Sequence, residues 1–204
     1  VVVAQTNIES IYGSDTFTDA IYKYLNSDEF KSGEILKEAI KRKVDEYKSG
    51  RNEVTSTTAG GVIIDEKSGT AQLSLFGDGY IFIIREGKLL TEIGQDAVGT
   101  PPQIGTRTKY SSTEIEQEMK STNVKLQDGD RIIMITDGIA KQVPGGTDKV
   151  KEFFESQSSV SDKDFIDNIY AKLVTPQTDG HADDITVVSY TWKKKDSSIT
   201  ETPS

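Results

Sequence analysis

Apolar positions along the chain recur at two different periods, and the change from one to the other divides it into blocks. After Ser14-Asp15, Phe17, Ala20, Ile21, Tyr24 and Leu25 fall at three- and four-residue steps, which predicts a helix over 15–25. Ile35, Leu36, Ala39, Ile40, Val44 and Tyr47 continue such a stripe over 32–50, with Lys and Arg late and Gly50 as the stop. From Val54 the period shortens and β-branched residues dominate. Strands are expected over 54–64, 71–76, 80–85 and 88–93, separated by Ser68-Gly69, Asp78-Gly79 and Glu86-Gly87 turns. Four such strands in succession predict an antiparallel meander.

The segment 94–112, with Pro101, Pro102 and Gly105, is expected to be loop or an irregular edge. Residues 113–126 leave two readings open. Ser111 and Glu114 have capping-box spacing, yet Ile115 to Met119 would also suit an exposed strand. The uninterrupted run Arg131-Ile132-Ile133-Met134-Ile135-Thr136 predicts a strand buried on both faces. Helices follow over 148–156 and 162–174, the second with Phe165, Ile166, Ile169, Tyr170 and Leu173 on one face, and Ile185 to Trp192 is expected as a final buried strand with Trp192 closing the core edge. The polar stretch 193–204 reads as a disordered tail on a single domain, 1–192. This element order suggests sheets sandwiched between helices.

Charge and composition remove several function classes. Thirty-three acids against 24 bases give a net charge of -9, the wrong sign for binding a phosphate backbone, so no nucleic acid partner is expected. No cysteine and one histidine exclude thiolate catalysis, disulfides and multi-histidine metal sites, leaving oxygen ligands for any metal. No apolar run reaches the roughly 18 residues of a membrane span. A soluble, cytoplasmic protein with no membrane partner is the expectation.

Three apolar strands are bounded by aspartates: Phe76-Gly77-Asp78-Gly79, Ile135-Thr136-Asp137-Gly138, and Ala182-Asp183-Asp184 before Ile185-Thr186-Val187-Val188. Carboxylates at rigid strand ends suit Mg²⁺ or Mn²⁺, and the glycine after each of the first two lets backbone or water approach an ion. Such a cluster fits metal-assisted hydrolysis of a phosphoryl group. Asp-Gly is also the commonest short hairpin turn, and for Asp78 alone the turn is the favoured reading. Asp137 favours function, because Ile139-Ala140-Lys141 does not look like a hairpin return. Asp183 and Asp184 serve equally as a cap or turn into the last strand.

Taken in order, these segments resemble the metal-dependent, type 2C serine/threonine protein phosphatases and the related bacterial sporulation and stress-response phosphatases. Thr57-Thr58-Ala59-Gly60-Gly61 is similar to that family's small-residue strand, Phe76-Gly77-Asp78-Gly79 to its Gly-Asp-Ser hairpin motif, Thr136-Asp137-Gly138 to its Ser/Thr-Asp-Gly motif, and Asp183-Asp184-Ile185-Thr186-Val187 to its Asp-Asn/Asp-Ile-Thr motif. The resemblance implies an α+β fold: a four-layer α-β-β-α sandwich of two antiparallel sheets flanked by helix pairs. It also implies two core Mg²⁺ or Mn²⁺ ions, with Asp137 and Asp183 as ligands of the second, Gly138 beside them, and Asp78 facing an accessory ion. The implied reaction is hydrolysis of phosphoserine and phosphothreonine in a phosphoprotein substrate by a metal-bridged water.

One departure stands out. Val1-Val2-Val3-Ala4 resembles the family's first strand, but Gln5-Thr6 stands where its metal-bridging Asp-Gly is found, and no Arg precedes it. Glu9 and Asp15 are the nearby acids, and neither is expected at a strand end. Two readings follow: a catalytically silent phosphatase-like module that binds a protein or phosphoprotein partner, or residues absent around Ala4-Gln5 and before Val1. His181, two residues before Asp183, is a possible proton donor to a leaving alkoxide, although a lone loop histidine is more often a solvated surface residue.

Overall fold

A computed structural model describes residues 2–8, 56–95, 104–105, 119–174 and 185–194. The helices expected over 15–25 and 32–50, the segment 113–118 and the tail beyond 194 lie outside them. The described strands form two antiparallel sheets. In the first, β1 (Val2–Ile8), β2 (Ser56–Asp65), β3 (Thr70–Phe76) and β7 (Lys120–Lys125) are adjacent in that order, with the two-residue β6 (Ile104–Gly105) also paired to β2. The second runs β5-β4-β8-β9, from β4 (Gly79–Arg85), β5 (Lys88–Gln95), β8 (Arg131–Ile135) and β9 (Val187–Thr191).

The predicted meander is therefore split. Strands β2 and β3 pair in one sheet and β4 and β5 in the other, so Gly77-Asp78 carries the chain between sheets and is not a hairpin turn. Alternation of side chains explains why periodicity could not show this. Both strand pairs need a buried face, and a two-residue polar break serves a turn or a crossing equally.

Side-chain alternation also accounts for the core. Val62, Ile64, Ala71, Leu73 and Leu75 of the first sheet meet Ile81, Ile83, Ile132 and Met134 of the second, with Leu126 and Trp192 at the margin. The opposite face of the second sheet, Tyr80, Phe82, Ile84, Ile133 and Ile135, packs under Ile139, Val143, Val150, Phe154, Phe165 and Ile169 from the helices. Strands β4 and β8 are thus buried on both faces, as their unbroken apolar composition requires. The last strand, expected to be buried, is only half-buried, because β9 lies at the sheet's edge.

Helix α1 (Asp137–Gln142) leaves β8 directly, followed by α2 (Gly146–Ser156) and α3 (Asp162–Asn168), which continues as a π-helical turn over Ile169–Leu173. Six residues are too few for a periodic stripe, so α1 gave no sequence signal. Ser161 caps α3, its hydroxyl accepting from the Asp164 amide at 3.1 Å. Phe154 anchors the helices with ring contacts to Phe82 at 5.5 Å and Phe165 at 5.2 Å. Buried Arg131 ties them to the sheet: it donates to the Gln157 carbonyl at 2.8 Å and to the Val160 carbonyl, stacks over Phe165 and pairs with Asp162. Asp162 also accepts from Ser189 and Thr191, bonds that outweigh burial and hold its carboxyl below the usual range.

The result is an α+β sandwich of two antiparallel sheets with flanking helices, as expected. Among the described residues no helix is long and apolar enough to cross a membrane. Phe154→Ala should destabilise the domain by about 3–5 kcal/mol, the usual loss for a large buried aromatic, measured by urea unfolding. A loss below about 1 kcal/mol, typical of surface substitutions, would show that this face is not the core described.

Candidate active site

The two expected acids at the ends of β4 and β8 are placed by strand register. Tyr80 pairs with Ile135 across the β4–β8 ladder. Counting one residue outward from that pair and then another sets the sheet crossing, with Asp78, opposite the start of α1, with Asp137. The crossing is possible because Gly77 and Gly79 adopt φ of 94° and 117°, a region open to glycine and strained for other residues. A Cβ on Gly79 would also stand 3.1 Å from the Ile135 carbonyl oxygen.

The two carboxyls consequently interact. Burial, followed by the negative charge and hydrogen bond of Asp137, raises the Asp78 carboxyl from 3.8 to about 6. Asp137 is itself buried, and its Oδ2 receives the Lys141 ammonium at 2.6 Å, one helical turn on. No amide or hydroxyl among the described residues donates to that oxygen. Gly138 is buried beside it at the start of α1.

A second tether prepares the neighbouring chain. The Thr186 amide donates to the Thr136 hydroxyl at 2.9 Å, and the Thr136 amide donates to the Thr186 carbonyl at 3.1 Å. Thr136 thus clips the residue before Asp137 to the segment that follows Asp184. Asp183 and His181, the other predicted site residues, lie outside the described residues. So do Asp184, Glu9 and Asp15. Strand β1 continues through Gln5-Thr6, opposite Gly60 and Ala59, so Gln5-Thr6 is mid-strand.

A cleft of about 410 Å³ opens beside Asp137, lined by Tyr80, Lys141, Thr147 and the Gly145-Gly146 loop among others. Tyr80 forms its wall. Its ring stacks on Phe82 at 5.6 Å and covers Gly94, where a Cβ would fall 2.1 Å from a ring atom, while Thr147 donates to its hydroxyl at 3.2 Å. Sequence reasoning did not pick out Tyr80, Lys141 or Thr147. For Lys141 a signal existed, since it follows Asp137 at the i,i+4 spacing of a helical ion pair. For Tyr80 and Thr147 there was none, because their meeting depends on how α2 lies on the sheet.

The donor chemistry suits a hard divalent cation. Two carboxylates from separate segments are held together against their mutual repulsion, one beside backbone freed by glycines, and oxygen donors are what Mg²⁺ and Mn²⁺ take. Among the described residues no group of three or more potential ligand side chains is assembled.

Comparison with known proteins identifies the family and the fold. The family model of stage II sporulation protein E (SpoIIE) matches residues 9–193. No curated protein matches the chain by sequence. Among solved structures, the chain is similar to the PP2C phosphatase domain of SpoIIE from Bacillus subtilis, with 17% identity, TM-score 0.63, and coverage of 92% of this chain and 52% of that one. It is similar to the Mycobacterium tuberculosis serine/threonine phosphatase PstP/Ppp, with 17% identity, TM-score 0.61, and coverage of 94% and 87%. It also resembles RsbX in complex with magnesium, with 14% identity, TM-score 0.60, and coverage of 92% and 79%.

The raised Asp78 carboxyl has a consequence for stability. Its folded-state affinity for protons exceeds the unfolded one, so its contribution is fully present below about 3.8 and is lost as pH rises through about 6. Asp78→Asn should therefore raise the melting midpoint of the metal-free protein at pH 7.5 by about 2–4 °C, corresponding to ~1 kcal/mol after solvent screening of a half-buried carboxyl. The gain should shrink toward pH 4. A lower midpoint at pH 7.5, measured by calorimetry, would contradict the repulsion.

Proposed function

The chain belongs to the SpoIIE family of metal-dependent protein phosphatases, and from that premise we propose that it hydrolyses phosphoserine or phosphothreonine in a phosphoprotein substrate with Mg²⁺ or Mn²⁺. The observation that carries the proposal is the interaction between Asp78 and Asp137, two carboxyls from distant segments, the second of which lines a cleft. Bound there, a divalent ion would offset charge developing on the phosphoryl group and acidify a coordinated water.

The chain's own residues supply the rest. Asp78 and Asp137 provide oxygen ligands, and Asp183 joins them in this reading through chain continuity, three residues before the tethered Thr186. Asp137 opens α1 and is buried there, its carboxylate paired with Lys141. Tyr80 and Thr147 present hydroxyls in the cleft, suited to hydrogen-bonding a substrate chain next to its phosphate.

A second reading has its own support. Because β1 carries Gln5-Thr6 within the ladder, the position where relatives place a bridging aspartate has an amide and a hydroxyl side chain. That favours a catalytically silent domain that binds a phosphoprotein partner. One assay separates the two. Mn²⁺-dependent hydrolysis of a phosphoserine peptide, falling at least about 100-fold in Asp137→Asn, is expected if the cation supplies several kcal/mol of transition-state stabilisation. No Mn²⁺-dependent turnover by the wild-type chain, together with saturable binding of the same peptide, would establish the silent reading instead.

A further inference from the structure

The Asp137 carboxylate already has a cation. Its buried Oδ2 is met by the Lys141 ammonium at 2.6 Å, and no described amide or hydroxyl shares that oxygen. The lysine is attached one turn along the same helix, yet its side chain is 49 % exposed, so it has water to move into. An ammonium on a flexible stem is a mobile point charge.

We propose that Lys141 is a tethered counter-cation that occupies Asp137 in the metal-free protein and is displaced when a divalent ion binds, so that it sets the metal affinity of the site. The inference rests on the metal reading above and adds to it the residue that tunes occupancy. The physical argument is competition. A ligand that binds only the open form has an apparent affinity reduced by the fraction of time that form exists. An ion pair seated about nine-tenths of the time weakens binding about tenfold. The same lysine neutralises one of two adjacent carboxylates while no metal is present, which limits their repulsion.

Two measurements on the full chain test this. Calorimetric titration of Mn²⁺ at pH 7.5 should give about five- to tenfold tighter binding for Lys141→Gln than for wild type, as expected for a lost competitor, and near wild-type binding for Lys141→Arg. Saturating Mg²⁺ should increase the acetylation of Lys141 by an amine-reactive ester in the wild-type chain, relative to its other lysines, read by peptide mass spectrometry. Equal Mn²⁺ affinities in wild type and Lys141→Gln overturn the inference and leave the metal reading standing. Binding to none of the three proteins removes both. Tighter binding by Lys141→Gln with no Mg²⁺-dependent change in labelling shows a charge acting at a distance and overturns displacement. If Lys141→Gln does not fold, the wild-type labelling decides alone.

Discussion

Two carboxyls, Asp78 and Asp137, are held against each other, and the remainder of the described structure can be understood as what holds them there. Like charges in a partly buried position separate if their backbones can yield. Here they cannot. Each sits at the end of a central strand, β4 or β8, that is hydrogen-bonded along both edges and buried on both faces. The glycines on either side of Asp78 let the chain turn between sheets without lengthening the connection.

Charge is distributed along these strands in a way that favours this. At one end of the β4–β8 pair, Arg85 grips Asp130 with two bonds of 2.9 and 2.7 Å, and Arg131 is fixed by carbonyls of the α2–α3 connection and by Asp162. At the other end stand Asp78 and Asp137, with Lys141 paired to Asp137. Fixed guanidinium groups stabilise the frame away from the acids, while the acids are left to a flexible ammonium that a stronger cation can replace.

Much of this was legible in the sequence, for reasons that also explain what was not. The run from Ile132 to Ile135 has no polar face, so its burial on both sides followed from composition, and a helix was expected over 148–156, where α2 lies. Thr136-Asp137-Gly138 was identifiable because an acid ended a strand that had nowhere polar to go. The Phe76–Gly79 segment misled, since a hairpin turn and a crossing between sheets use the same Asp-Gly chemistry and only long-range pairing tells them apart. Strand β7 stayed ambiguous because its residues alternate between exposed and half-buried at a sheet edge, giving a weak period. The wall of the cleft was invisible for a different reason: the Tyr80–Thr147 bond joins residues 67 apart.

The most direct test of the central claim is the titration of the Asp78 carboxyl itself, followed by carbon NMR in the metal-free protein. A midpoint near 6 is expected in the wild type. In Asp137→Asn it should move down toward the ordinary carboxylate range while staying above it, because burial persists after the neighbouring charge is gone. A wild-type midpoint near 4, or one near 6 that Asp137→Asn leaves unchanged, would contradict the account.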